Sequence, residues 1–243
     1  MADPYGPPEL FDRIACCYDG MNRLLSLGRD RHWRELAAEA LHLPRGGCVL
    51  DVGSGTGDMA LAVTKRWPGA TVVAVDPTKR MIAVGRMKAD GGRVTWTEGD
   101  GLRLPFADAH FDGAVSAFML RNVVNGSDRR PVATALAEQC RVIRPGGRLV
   151  CLELSWPQTP VFRQLFSVYF TALMPSVAGA ISGQPAAYRY LPRSVQRFVT
   201  PRQLTEMMRA VGLRNVNCRR LALGTVTLHV GERPDDGRGN RYG

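Results

Sequence analysis

The chain has 243 residues, 45% of them apolar and 22% charged, with 26 Gly and 16 Pro. That is enough for one large domain with a sizeable core, and disordered, collagen-like and polytopic membrane classes do not fit it. The formal charge is +10, of which residues 1–154 contribute +2 and residues 155–243 contribute +8. Such a bias suits a nucleic acid, an anionic membrane face or an acidic ligand, and by itself selects none of them. The opening MADPYGPPEL has no basic stretch followed by an apolar one, so a cytoplasmic protein is expected. Six cysteines, Cys16, Cys17, Cys48, Cys140, Cys151 and Cys218, include no CxxC pair. They are expected to be reduced thiols, mostly packed as small hydrophobes, and no metal site is expected.

From the N-terminus, residues 9–43 carry Phe11, Ile14, Tyr18, Leu24, Leu25, Trp33, Leu36, Ala37, Ala40 and Leu41 at three- and four-residue spacings, which predicts a helical cap ended by Pro44, Gly46 and Gly47. Short apolar strands then alternate with single helices. The strands are predicted at 48–52, 71–75, 94–98, 111–116 and 148–154, and the helices near 58–66, 79–88 and 128–142. This pattern predicts an α/β fold with a parallel sheet covered on both faces. Further on, Thr200-Pro201 caps a helix with the stripe Leu204, Met207, Met208 and Val211, and Gly212 ends it. Strands at 215–223 and 225–230 are joined at Gly224, too tightly for a parallel crossover, so the final pair is antiparallel. The run from Glu232 to Gly243 has few apolar side chains, and 234–243 is expected to be a disordered tail after a single domain spanning 1–233.

The stretch that carries chemistry is Val49-Leu50-Asp51-Val52-Gly53-Ser54-Gly55-Thr56-Gly57-Asp58. An apolar strand enters a glycine-rich turn that opens a helix, and Asp76 stands 19 residues past Gly57 at the end of the next strand. Glycines let the backbone turn sharply and approach a ligand, and an acidic residue so placed accepts from ribose hydroxyls. A nucleoside-type ligand is therefore expected. Dinucleotide sites read G-x-G-x-x-G with a pyrophosphate on the helix N-terminus, whereas the sixth position here is Asp58, whose carboxylate would repel a phosphate. S-adenosylmethionine has no phosphate and carries a cationic sulfonium. No Gly-Lys-Ser/Thr follows, so a nucleotide-triphosphate loop is excluded. Asp100, in Gly99-Asp100-Gly101 after the third strand, completes the set.

These residues resemble the class I methyltransferases, and among them the quinone-biosynthetic C-methyltransferase family. Tyr18-Asp19-Gly20-Met21-Asn22-Arg23-Leu24-Leu25-Ser26 with Trp33 is similar to that family's first signature. Arg141-Val142-Ile143-Arg144-Pro145-Gly146-Gly147-Arg148-Leu149 through Glu153 and Ser155 is similar to its second. Phe118-Met119-Leu120-Arg121-Asn122 resembles its Phe-Gly-Leu-Arg-Asn segment, and Leu228-His229-Val230-Gly231 its terminal strand. Three positions depart from the pattern: Asp30 replaces a His, and Met119 and Leu223 each replace a Gly.

The resemblance implies a Rossmann-like fold with a mostly parallel seven-stranded sheet, an antiparallel last strand and helices on both faces. It implies S-adenosylmethionine as cofactor, bound by Asp51, Gly53, Gly55, Thr56, Gly57, Asp76, Asp100, Gly101 and Ser116. It implies ring methylation of a prenylated quinol, demethylmenaquinol to menaquinol, with a ubiquinone-pathway benzoquinol or another phenolic, sterol or amine acceptor as the alternatives. A quinol ring carbon becomes nucleophilic when its neighbouring hydroxyl ionises, so the site needs a cation to hold the phenolate. Arg121 is the candidate, although a guanidinium serves as a general base only if a water carries the proton. Tyr18 and Asn122 are the further catalytic candidates. His229 is read as a satisfied core residue.

Residues 156–199 form the expected acceptor lid. The run 164–188 has no charge, and Arg163, Arg189, Arg193 and Arg197 border it. Pro175, Gly179 and Gly183 interrupt it, against a spanning helix. An apolar lid flanked by arginines suits a prenyl tail and peripheral contact with the anionic inner face of a membrane. A buried core helix or a homodimer face are the other readings of the run. No interleaved aromatic and basic surface points to nucleic acid.

Overall fold

The computed structural model of the chain describes residues 8–88, 90–124, 128–173, 191–192 and 194–235. Three helices come first: α1 (Pro8–Ile14), α2 (Tyr18–Leu25) and α3 (Asp30–Ala40). The long helical stretch read from the sequence is broken because Leu27 and Gly28 take φ of 53° and 75° between α2 and α3, a left-handed turn that no helix continues through. The alternating section follows as β1 (Cys48–Val52), α4 (Asp58–Arg66), β2 (Thr71–Asp76), α5 (Lys79–Arg86), β3 (Val94–Glu98), β4 (Phe111–Ala117), α6 (Arg130–Val142) and β5 (Ile143–Leu154). Strand β5 begins five residues before the predicted position because Ile143 already pairs with Phe111, across a bulge before Arg148 pairs with Gly113. After α7 (Pro160–Val168) and one π-helical turn, Tyr169–Leu173, the chain reaches α8 (Pro201–Ala210), β6 (Arg214–Leu221) and β7 (Val226–Glu232). Thr200 and Gln203 form the capping box of α8, and Gly212 stops it at φ 97°.

The seven strands lie in the order β3-β2-β1-β4-β5-β7-β6. Six run parallel to one another, and β7 inserts antiparallel between β5 and β6. Because side chains alternate along a strand, Leu50, Val52, Leu149 and Cys151 meet α6 and α8 on one face. Val49, Val150 and Leu152 meet α3 and α4 on the other. The predicted strand over 215–223 ends at Leu221, since Ala222, Leu223 and Gly224 take φ of 46°, 58° and 88°. Strand β7 runs through Glu232, and Arg233 donates to the carbonyls of Cys140, Arg141 and Ile143. The predicted tail beyond 235 lies outside the described residues, as do 174–190 and Arg193 of the predicted lid.

All six cysteines are unpaired; Cys140 and Cys151 are buried in the core, and the half-buried Cys48 and Cys17 pack against apolar clusters, so packing as small hydrophobes holds for four of the six, with Cys16 and Cys218 exposed. His229 is enclosed in β7 with Nε2 3.0 Å from the Pro201 carbonyl, while its buried Nδ1 has no partner among the described residues, so the satisfied core role expected of it holds for one ring nitrogen. Among the described residues no helix is long and apolar enough to cross a membrane.

What places the site is the reversal of strand order. The chain steps outward from β1 to β2 and β3, then returns to β4 on the other side of β1. The loops after β1 and β4 therefore face each other across the switch-point crevice, where open sheets bind ligands.

Candidate active site

The loop after β1 is built for close approach. Gly53, Gly55 and Gly57 take φ of 66°, 54° and 79°, a region that only glycine enters without strain. A Cβ at Gly53 would stand 2.2 Å from Met119 Cγ, and one at Gly57 2.2 Å from Trp96 Cη2. From the end of β2, Asp76 turns back to the loop. Its Oδ2 accepts from the Gly55 N–H and its Oδ1 from the Thr78 N–H, both at 2.8 Å. Burial pushes the Asp76 carboxyl above its usual range against these two bonds. Beneath the loop, Asp51 is 1% exposed and neither of its oxygens has a hydrogen-bond partner among the described residues. Burial pushes its pKa up to about 7 against the pull of the Ala60 backbone N–H and of Arg34, and the neighbouring Asp76 and Asp58 push the same way as burial.

These features fit a cationic nucleoside donor. A buried carboxylate without a partner is costly, and a sulfonium-bearing ligand on the glycine cradle would supply the counter-charge, while Asp76 keeps free lone pairs for ribose hydroxyls. The cavity over the loop is lined by Gly53, Gly55, Asp76 and Gly101 from the sheet ends, by Phe11 and Tyr18 from the cap, and by Phe118, Met119 and Asn122. Its open volume is about 70 Å³, small for a ligand site. Met119, where the resembling family has Gly, lies across Gly53 and fills part of it.

The cap is tied to this loop. Thr56 Oγ1 donates to Asp19 Oδ1 at 2.5 Å, and Lys88 Nζ bridges Asp19 at 2.7 Å and Asp58 at 2.5 Å. One ammonium between two carboxylates leaves this corner of the loop net negative, so the repulsion of a phosphate expected at Asp58 is weakened by Lys88 and not removed.

The loop after β4 carries the second half of the site. Arg121 is 5% exposed; its Nη1 donates to the Phe118 carbonyl and stands 3.7 Å from Glu153 Oε2. Glu153, on β5, is fully buried and accepts from the Leu120 N–H at 2.6 Å. Burial pushes the Glu153 pKa up to about 7, against the pull of Arg121 and of the Leu120 bond. Asn122 Nδ2 donates weakly to the Phe118 carbonyl at 3.3 Å, and its buried Oδ1 has no partner among the described residues.

Arg121 opens onto a larger cavity of about 410 Å³. Among the described residues its walls are Asn22, Leu25, Asp30, Trp33 and Arg34 from the cap, and Phe166, Tyr169 and Phe170 from the segment after β5. Tyr169 Oη donates to the Leu25 carbonyl at 2.9 Å and ties this roof to the cap. Tyr18 and Phe118 line both cavities, so the two share a wall.

Of the residues expected from the sequence, Gly53, Gly55, Asp76, Gly101, Tyr18 and Asn122 line the smaller cavity, and Arg121 with Tyr18 the larger. Asp51, Thr56 and Gly57 lie beneath or beside the loop. Asp100 caps its own turn, with Oδ1 accepting from the Leu102 N–H at 2.6 Å. Ser116 is not brought to either cavity: it is enclosed in β4, with Oγ 3.6 Å from Cys151 Sγ, and the next residue, Ala117, faces the cavity instead. Sequence reasoning assigned no role to Arg34 or to Lys88, whose partners Asp19 and Asp58 come from distant segments of the chain. The Asp30–Arg34 pair, four residues apart on α3, was the one such contact that helical spacing alone offers.

Solved structures share the architecture. A cyclase, SpnF, superposes with a TM-score of 0.64 at 17% identity over 93% of this chain and 94% of that one. A SAM-dependent methyltransferase from Thermotoga maritima gives 0.61 at 18%, over 93% and 98%. At such identities the likeness is one of fold. Sequence relatives are nearer. A demethylmenaquinone methyltransferase of Thermus thermophilus is 42% identical over 93% of this chain and 100% of its own. A second, of Deinococcus radiodurans, is 43% identical over 93% and 91%. The ubiquinone/menaquinone biosynthesis C-methyltransferase UbiE of Geobacter sulfurreducens is 40% identical over 93% and 87%. The model of the ubiE/COQ5 methyltransferase family matches residues 7–233. The glycine cradle, the cavity beside it and this match over nearly the whole chain lead to one conclusion: the chain belongs to the ubiE/COQ5 methyltransferase family and is an S-adenosylmethionine-dependent methyltransferase.

Proposed function

We propose that the protein methylates a ring carbon of a prenylated quinol, converting demethylmenaquinol to menaquinol. The observation that carries this reading is the 410 Å³ cavity, mostly apolar and walled by Trp33, Phe166, Tyr169 and Phe170, which shares Tyr18 and Phe118 with the donor cavity and receives Arg121. Its size suits a fused aromatic ring. The names of the Thermus and Deinococcus relatives favour the naphthoquinol, whereas the UbiE relative is named for both quinones and keeps the benzoquinol as the second reading.

Bound S-adenosylmethionine supplies an electrophilic methyl group on a sulfonium. The protein's part is to align and to polarise. The Gly53–Gly57 turn and Asp76 hold the donor, with Asp51 beneath it as the buried counter-charge. Arg121 presents its guanidinium to the acceptor oxygen and favours the phenolate, whose proton leaves to water; this raises electron density at the neighbouring ring carbon, and once that carbon has taken the methyl its own proton passes to the ring oxygen and aromaticity is restored. Glu153 has no exposed surface and cannot reach the acceptor; it holds Arg121 in place. Tyr18, on the shared wall, closes the donor side over the acceptor and excludes water. The test is methyl transfer from labelled donor to demethylmenaquinol, a benzoquinol precursor and unprenylated phenols. The naphthoquinol is expected to be the best acceptor, and transfer only to unprenylated phenols overturns the reading.

The prenyl tail must leave the cavity toward an apolar medium. Val161, Leu165 and Val168 form an exposed apolar stripe on α7, 67%, 63% and 63% exposed, with Phe162 beside it, and no acidic residue occurs from 155 to 205. Both features support peripheral docking on an anionic bilayer. Flotation with liposomes containing acidic lipid is expected to carry the protein up, and no binding with either acidic or neutral vesicles overturns this part.

A further inference from the structure

Besides Arg121 and the exposed Arg29, the larger cavity is lined by a buried guanidinium that the reaction above does not use. Arg34, on α3, is 6% exposed, and its Nη1 is committed to the Asp30 carboxylate at 2.9 Å. Ser26 Oγ holds the other oxygen of Asp30 at 2.9 Å, so the pair is fixed. Arg34 Nε is buried with no partner, and Nη2 makes no hydrogen bond among the described residues. Arg121 is in the same condition: Nη1 is committed to Phe118 and Glu153, Nε is buried without a partner, and Nη2 makes no hydrogen bond among the described residues. The two guanidiniums lie 5.3 and 6.0 Å from the centroid of one ring, Phe118, and both line the same cavity.

The Nε donors are enclosed, so the Nη2 group of each arginine is the one left to a ligand in the apolar pocket, and such donors are costly to leave unmet. A ligand with one oxygen for each guanidinium satisfies both, and a flat ring carrying oxygens on opposite sides has that form. Arg34 is one turn from Asp30, the residue that replaces the His of the resembling signature, so this ion pair belongs to the chain's own version of the pocket.

We propose that Arg34 is an acceptor-binding and specificity-determining residue: Arg121 takes the ring oxygen beside the methylated carbon, and Arg34 takes the oxygen across the ring. This inference rests on the quinol reading and deepens it, since it selects a dioxygenated aromatic acceptor over a monophenol, a sterol or an amine.

The test pairs one substitution with one missing oxygen. Rates are measured for the prenylated 1,4-naphthoquinol and for the matching prenylated naphthol that lacks the far oxygen, with wild type and Arg34→Ala. The wild type is expected to favour the diol about ten- to a hundred-fold in kcat/KM, the range of a hydrogen bond to a charged group. Arg34→Ala is expected to lose about that factor on the diol and no more than about twofold on the naphthol, with donor affinity by calorimetry unchanged. An equal loss on both acceptors assigns Arg34 a purely structural role and overturns the inference, as does no loss on either. If Arg34→Ala does not fold, Arg34→Lys keeps a cation opposite Asp30 and is read on the same two acceptors by the same criteria. A wild type that methylates neither compound defeats the quinol reading itself. A wild type that methylates both equally defeats this inference alone.

Discussion

Replacing Arg121 with alanine separates two things the residue does. It faces the acceptor cavity, and it is the only cation within 4.0 Å of the fully buried Glu153 among the described residues. Loss of the cation that favours the phenolate is expected to lower kcat by about a hundred- to a thousand-fold, the scale of removing one oxyanion donor. Donor affinity, set by the glycine turn and Asp76, is expected to stay. The effect on stability depends on pH. Glu153 has its pKa pushed from 4.5 to about 7 in the folded chain, so its contribution to stability is fully present below 4.5 and is lost as pH rises toward 7. Arg121 is what limits that loss, because its charge opposes burial. Without it the Glu153 pKa rises further, and stability continues to fall above pH 7 by about 1.4 kcal/mol per pH unit until the new pKa is reached. The ceiling is about 3–5 kcal/mol, the usual cost of breaking a buried pair. Denaturant titrations at pH 6, 8 and 9 are therefore expected to show a gap between Arg121→Ala and wild type that opens only on the alkaline side. Adding Glu153→Gln removes the buried charge, and the double variant is expected to recover stability without recovering turnover. Recovered turnover would refute the catalytic role and leave Arg121 as a counter-ion. Turnover of Arg121→Ala within threefold of wild type would refute it outright.

Three further outcomes follow from the donor side. Asp76→Ala removes the acceptor for the Gly55 and Thr78 N–H groups and is expected to weaken donor binding at least about a hundred-fold by calorimetry, the scale of losing charge-assisted hydrogen bonds. Gly57→Ala forces a side chain into φ 79° and onto Trp96; a loss of at least about 2 kcal/mol in stability is expected, and an unchanged Tm would contradict the fit. Lys88→Ala leaves Asp19 and Asp58 facing the Thr56 region without their cation. It is expected to raise the KM for the donor several-fold and to speed proteolysis before residue 26, with Arg121-dependent chemistry unaffected.

Much of the frame was legible because it is local. The periodicity of residues 48–98 gives β1, α4 and β3 at the observed bounds, and Thr200, Pro201 and Gln203 cap their own helix. The misplacements have local causes too: Leu27 and Leu223 take positive φ beside Gly28 and Gly224, so each turn begins ahead of the glycine that marks it. The glycine turn and Asp76 could be read because their chemistry is carried by spacing along the chain. The rest of the site arises from contacts between distant segments. Glu153 meets Arg121 only once β5 lies beside β4, Lys88 reaches Asp19 and Asp58 only once the cap closes, and Ser116 turns inward because the pleat, not the residue type, decides which strand-end side chain faces the crevice. Lys88, which moderates the charge of Asp58, was hidden for the same reason, since it lies 30 residues away.

The central claim is that the pocket beside the donor site accepts a prenylated naphthoquinol. The most direct measurement is the quinone composition of cells that lack this protein. Loss of menaquinone with accumulation of its demethyl precursor, reversed by the wild-type chain and not by Arg121→Ala, is the predicted result. Unchanged menaquinone in those cells would contradict the account.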